Sequence, residues 1–201
     1  MASISEIKSS ITFGGGLART NRFLVTLPSL GNGGIIGFLG TRNMNILCRT
    51  AQIPGKQVTT HERRIGMKFE KVAYGYAVED VALTFMETST LPIRRYFDDW
   101  RDLTLNEEAQ TAKYKSEYAK RVIIHQLAMP VPLGAFPITN KLPIDVMAST
   151  YSVALNNAFP TSITAIEYNN EPDGFVETTV ALSYTNFERV PAGQLSLSIN
   201  F

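Results

Sequence analysis

Apolar residues recur along this chain at two spacings, and the shorter one dominates. In "RFLVTLP", Phe23, Val25 and Leu27 fall on one side of an extended segment that Pro28 ends. "YAVEDVALTFME" alternates in the same way, with Val81, Leu83 and Phe85 on one side. "ILCRTAQIPG", closed by Pro54-Gly55, and "RVIIHQL" read as two further strands. "TYSVALNNAFP" and "SITAIEYN" read as a pair divided at Pro160. "GFVETTVALSYTNFERV" reads as one long terminal strand with Val176, Val180, Leu182 and Tyr184 on its inner face. The tally is roughly six to eight strands, joined by connections short enough to make most of them antiparallel.

The longer spacing appears once with force. In "LPIRRYFDDWRDL", residues 91–103, Ile93, Tyr96, Phe97 and Trp100 stand at i, i+3, i+4 and i+7, a single helical stripe. Pro92 sits in the first turn, where its missing N–H costs nothing. Arg94, Arg95, Asp98, Asp99 and Arg101 face away. A helix this short is not stable alone and must cover an open face or edge of the sheet. "NEEAQTAKYKSEYAK" is polar, a loop or an exposed helix. The stretch around residues 56–72, within "KQVTTHERRIGMKFEKVAYG", combines β-branched residues with many charges and shows no large apolar face. It reads as a hairpin projecting from the body, its tip between His61 and Gly66. Residues 1–16 are small and polar, end in Gly14-Gly15-Gly16, and read as a flexible arm. The expected fold is therefore mainly β: an antiparallel barrel or sandwich, flanked by one amphipathic helix, with a long projecting hairpin, in a single domain spanning 1–201.

Composition narrows the function more by exclusion than by suggestion. The chain has 201 residues, 44% hydrophobic and 18% charged, enough for a core without disulfides or metal. Its formal net charge of +1 gives no surplus for nucleic acid or a membrane surface. The one cysteine, Cys48, excludes a disulfide within the chain and fits assembly in a reducing cytoplasm. The N-terminus has no apolar run of signal-peptide type, and no stretch approaches the roughly 20 apolar residues needed to span a bilayer.

The usual chemistries find no constellation. His61 and His125 are the only histidines, and Cys48 has no near partner in sequence, so neither a zinc site nor a Cys–His nucleophile is indicated. Asp98 and Asp99 are adjacent on a helix, and adjacent positions do not converge on one substrate. The glycines at 14–16 and in "GNGGIIG" match neither phosphate-binding pattern. Arg63, Arg64, Lys68 and Lys71 make the hairpin basic, without the interleaved aromatics of a base-stacking platform. No catalytic, metal or cofactor site is expected. A β-rich body with a polar arm and no active site suggests an assembly subunit, in which exposed strand edges become joints rather than hazards.

Four segments, in order, carry a resemblance: "LARTNRFLVTLP", "LCRTAQIPGKQV", "VALTFMETSTLPIRRYFDDWRD" and "AFPTSITAIEYNNEPDGFVETTVALSYTNFE". Together they resemble the tail tube proteins of contractile-tailed bacteriophages over about four fifths of the chain. The chain departs from that pattern at 29–43 and 130–149, which read as insertions. The resemblance implies a subunit that forms hexameric rings, stacked into a tube that conducts the viral genome inside a contractile sheath. It implies partners: further copies of the chain, a sheath protein, a baseplate tube initiator, a tail terminator and a tape measure protein, with DNA passing through without tight binding and no membrane. It implies a place in the virion tail after assembly in the host bacterial cytoplasm. The sibling reading is a baseplate tube initiator or a tube protein of a bacterial contractile injection system of type VI secretion kind. On this footing the hairpin, through Lys56, Thr59, Thr60, His61, Glu62, Arg63, Arg64 and Lys68, is expected to bridge stacked rings. Ile4, Ile7 and Ile11 are expected to dock the N-terminal arm on a neighbour. Glu70, Glu79, Asp80, Thr84, Thr179 and Ser183, on strand faces opposite the apolar ones, are the expected lining of the channel.

Overall fold

The computed structural model describes residues 3–13, 16–30, 44–106, 110–128, 149–169 and 174–191. The expected insertions at 29–43 and 130–149 lie almost wholly outside these residues. The described part is mainly β and antiparallel.

Two layers share one long strand, β9 (Ser149–Ile163). Its first half lies between β8 (Lys120–Leu127) and β11 (Asn186–Val190), and β1 (Phe23–Thr26) adds to the far side of β8. Its second half pairs with β10 (Glu177–Ser183), which pairs with β5 (Val81–Met86), which in turn pairs with β2 (Cys48–Ala51). β9 passes from one layer to the other at Asn157, whose φ of 55° is the left-handed bend that asparagine tolerates better than most side chains. The layers do not close into a barrel; the arrangement is sandwich-like.

Two strand boundaries differ from the sequence expectation. Pro160 does not divide β9. It stands opposite Leu182, at the register shift between Ala181 and Leu182. Beyond Ala158 no pairing of β9 with β8 is found, so the missing N–H falls on an edge. The terminal segment is two strands rather than one, broken at Tyr184 and Thr185 beside the Asn157 bend. One kink in β9 is thus matched by a break in its partner.

Alternation sorts the side chains as the pleat demands. Val81, Leu83 and Phe85 of β5 and Val180 and Leu182 of β10 are buried, as are Val122 and Ile124 of β8 and Val153 and Leu155 of β9. α2 (Pro92–Thr104) lays its stripe on this core: Ile93, Tyr96, Phe97 and Trp100 are all buried. Phe97 packs on Phe85 at 5.6 Å between ring centroids and stacks with Trp100 at 6.1 Å. Both polar tips of the stripe find a partner: Trp100 Nε1–H donates to the Tyr118 carbonyl at 2.8 Å, and Tyr96 O–H donates to the Pro28 carbonyl at 2.6 Å.

The start of α2 is capped from a distance. Leu91 at the N-cap adopts φ 50°, ψ 48° and supplies no side-chain bond. Glu87 does so instead, its Oε1 accepting from the Arg94 N–H at 2.9 Å and from the Thr178 hydroxyl at 2.7 Å. A carboxylate there also meets the positive end of the helix dipole, so the contact ties α2 to β10.

Two further helices are found among the described residues, one of them inside the stretch read as a loop or an exposed helix. α3 (Lys115–Tyr118) is a single turn that presents the Tyr118 carbonyl to Trp100. α1 (Ile4–Phe13) lies where composition suggests a flexible arm. "SISE" opens it as a capping box: Ser3 N–H donates to Glu6 Oε2 at 2.7 Å and Glu6 N–H donates to Ser3 Oγ at 3.2 Å. That local signal outweighs the weak helix propensity of the serines. A short strand pair, β6 (Leu105–Asn106) and β7 (Thr111–Ala112), follows α2.

Candidate assembly surfaces

No described cleft gathers reactive groups. His125 is buried in β8 and its Nδ1 lies 2.8 Å from the Ser152 hydroxyl, while His61 is exposed on the hairpin. Burial holds the His125 pKa below its ordinary value. Cys48 is half-buried, its thiol directed at the Thr50 and Thr84 carbonyls, and burial pushes its pKa up to about 12. A thiol so protonated is a poor nucleophile at neutral pH. Among the described residues, no group of three or more His, Cys, Asp or Glu could hold a metal ion. No helix there is long and apolar enough to cross a membrane. What the structure offers is surfaces.

The first surface is the hairpin. Among the described residues β3 (Lys56–Ile65) and β4 (Lys68–Val78) pair only with each other, through a turn at Gly66-Met67 where Gly66 takes φ 64°. The hairpin is thus longer than 56–72, and its tip lies at the far end of the expected interval. Lys56, Thr60, His61, Glu62, Arg63, Arg64 and Lys68 are exposed and Thr59 is half-buried. Lys71 and Glu62, directly opposite each other, form an ion pair at 3.7 Å. The expectation of no large apolar face is corrected here. Val58, Ile65, Met67, Phe69, Val72, Tyr74 and Tyr76 are exposed, Met67 at 96% and both Phe69 and Tyr74 at 71%. Scanning for one strictly alternating face misses them, because Tyr74 is the extra residue at the register shift between Thr59 and Thr60. The signal was present as the spacing Phe69, Val72, Tyr74, Tyr76.

The second surface is the face of β5 and β10 opposite the core. Thr84 and Thr179 are cross-strand partners with their hydroxyls 3.1 Å apart. Ala82 stands opposite Ala181 and Met86 opposite Glu177. Arg49 of β2 reaches across to an ion pair with Glu177. Ser183 ends the β10 row, opposite Phe159. The six residues named for the channel therefore divide. Thr84, Thr179 and Ser183 share this small-residue polar face. Glu79 and Asp80 occupy the turn from β4 to β5, and Glu70 lies out on the hairpin opposite Arg63. Arg49 and Glu177 belong to the same face and were missed: β2 has no clean alternation to place Arg49, and Glu177, though it opens the alternating β10, meets its partner only across strands remote in sequence.

The third surface is α1. It buries none of its residues against the body; Ile4 is 73% and Ile7 50% exposed, and Ile11 is half-buried.

This combination of a sandwich with uncovered apolar and polar surfaces has a counterpart among known proteins. The sequence profile described as phage tail tube protein matches residues 18–190. The chain belongs to the phage tail tube protein family. Its role is that of a tail-tube-type structural protein. Solved structures agree on the fold. A chain of the anti-feeding prophage tube-terminating cap matches with a TM-score of 0.57 at 16% identity, covering 87% of this chain and 91% of that one. A chain from the sheath/tube terminator structure of an extracellular contractile injection system (PVC) gives 0.55 at 12% identity, covering 87% and 97%. A chain from the anti-feeding prophage baseplate structure gives 0.54 at 15% identity, covering 87% and 95%. No curated protein matches the chain by sequence.

Proposed function

We propose that this protein is the structural subunit of a phage tail tube, not an enzyme, whose copies form hexameric rings stacked around a lumen that conducts the viral genome. The family match over residues 18–190 carries this reading. The surfaces give it a mechanism. Beyond its base, where Lys56 lies over the Phe187 ring and Val78 packs on the core, the hairpin pairs with no other described strand and bears exposed apolar side chains, so it bridges one ring to the next. Ile4, Ile7 and Ile11 dock α1 on a neighbouring copy, where burying their exposed area offsets the ordering cost of the arm. The Thr84–Thr179 face, with Ser183, lines the channel. Small hydroxyl and methyl groups there, with the Arg49 charge neutralised by Glu177, give DNA few phosphate contacts and hence little friction. The charged face of α2 is left for the sheath. A baseplate initiator, a terminator and a tape measure protein complete the set of partners, and assembly takes place in the host cytoplasm before the tail joins the virion.

Electron microscopy of the purified protein tests this: long hollow tubes with six-fold rings are expected. Removing residues 60–66 should leave folded rings that no longer stack; long tubes from that variant would refute the hairpin's role. Assembled tubes should bind duplex DNA weakly or not at all at physiological salt, and nanomolar affinity that falls steeply with salt would count against the conduit.

A second reading has its own support. The three structures just described come from a baseplate, a tube cap and a sheath/tube terminator. A tube-end protein or the tube protein of a contractile injection system would share this fold. Single rings that never elongate would favour it.

A further inference from the structure

One lysine joins the projecting hairpin to the body. β3 and β4 form a sheet of their own, and among the described residues no strand of the sandwich pairs with them. The chain enters the ribbon through Pro54-Gly55 and leaves it through Glu79-Asp80. No atom stands within 4 Å of the place a Cβ on Gly55 would take, so packing at that point does not hold the ribbon's angle.

Side chains at the first cross-strand pair, Lys56 opposite Val78, bear on that angle instead. Val78 packs on the core. The Lys56 ammonium lies 4.8 Å from the ring centroid of Phe187 on β11 and 5.1 Å from that of Tyr76 on β4, both within cation–π reach. It takes part in no described ion pair. Phe187 packs against the core and meets Tyr184 edge-on at 6.3 Å, so it is a fixed point on the body. Tyr76 belongs to the ribbon, and one cation therefore bridges the two.

The angle matters because the ribbon is a lever. β3 runs 10 residues, roughly 30 Å. At that radius a swing of about 10° moves the tip by about 5 Å, the spacing between neighbouring strands. We infer that Lys56 is the positioning residue of the hairpin: its ammonium, held against Phe187 of the body and Tyr76 of the ribbon, sets the angle at which the ribbon meets the next ring. The consequence for stacking rests on the tail tube reading; the angle itself does not.

Lys56→Met keeps most of the stem and removes the charge, while Lys56→Arg keeps a cation that stacks on rings. Spin labels at Met67→Cys on the tip and Asp99→Cys on the exposed face of α2, in a Cys48→Ala background, read the angle as a distance in single subunits. The wild-type and Lys56→Arg distributions should be narrow and that of Lys56→Met at least twofold wider, with an unchanged urea midpoint because Lys56 is exposed. Phe187→Leu should widen the distribution as much, and the double variant with Lys56→Met no further. Without labels, Lys56→Met should lower the fraction of pelletable stacked assemblies at least fivefold, and Lys56→Arg should retain it. A wild-type distribution as wide as that of Lys56→Met, or a widened one that leaves stacking unchanged, overturns the inference. Wild-type protein that forms no tubes overturns the tube reading instead, while the distances still decide whether Lys56 sets the angle.

Discussion

Replacing Trp100 by alanine removes the largest fully buried side chain of the core. Its ring stacks on Phe97 and meets Tyr96 edge-on at 6.0 Å. Emptying such a site costs about 3–5 kcal/mol, the range found for a buried Trp or Phe cut back to Ala. The Tyr118 carbonyl also loses its 2.8 Å donor, adding about 1 kcal/mol. Since domains are typically stable by about 5–15 kcal/mol, Trp100→Ala should bring the subunit near the edge of folding. Trp100→Phe keeps most of the stack and loses the hydrogen bond and part of the volume, so it should cost about 2 kcal/mol. The assay is urea unfolding followed by far-ultraviolet circular dichroism, because the variants lack the only tryptophan. It should be run at concentrations where sedimentation shows single subunits, since assembly would mask the loss. A cost below 1 kcal/mol for Trp100→Ala, or equal costs for the two variants, would refute the claim that α2 closes the sandwich through this stripe.

Other expectations follow from single contacts. Glu87→Ala removes the cap on α2 and the partner of Thr178, and urea unfolding should show a loss of about 1–2 kcal/mol. His125 is held below its ordinary pKa by burial, so the unfolded chain takes up its proton first. Stability should be complete above the unfolded value of about 6.5 and fall as pH drops below it; His125→Gln should flatten that slope in urea midpoints taken between pH 7.5 and 5.5. Cys48 in the folded protein should react with a thiol reagent at pH 8 at least tenfold more slowly than in urea. Ser3→Ala should speed amide exchange across α1 by undoing its capping box.

The sequence speaks most clearly where burial is one-sided. The α2 stripe and the alternation of β1, β5 and β10 are visible because solvent and core impose opposite residue types on neighbouring positions. Where the backbone departs from its period, the reading fails. Pro160 reads as a break but is absorbed by a register shift on an edge, and the real break at Tyr184-Thr185 carries no proline or glycine. The hairpin's apolar residues go unnoticed because the Tyr74 bulge disrupts their alternation. α1 hides behind serines whose capping role is local. Of the residues expected to line the channel, Thr84 and Thr179 meet because cross-strand partners share a face. Glu70 stands apart from them because it belongs to a strand pair outside that sheet. The Arg49–Glu177 pair spans more than a hundred positions and could not be read without knowing that β2 and β10 both flank β5.

The central claim is that this chain builds a tube from rings by surfaces already present on one subunit. Cryo-electron microscopy of the purified protein at increasing concentration tests it most directly. The account predicts hollow tubes of stacked six-fold rings, with the hairpin crossing the ring boundary and the Thr84–Thr179 face toward the lumen. Particles that remain single subunits at every concentration, or tubes with that face turned outward, would contradict it.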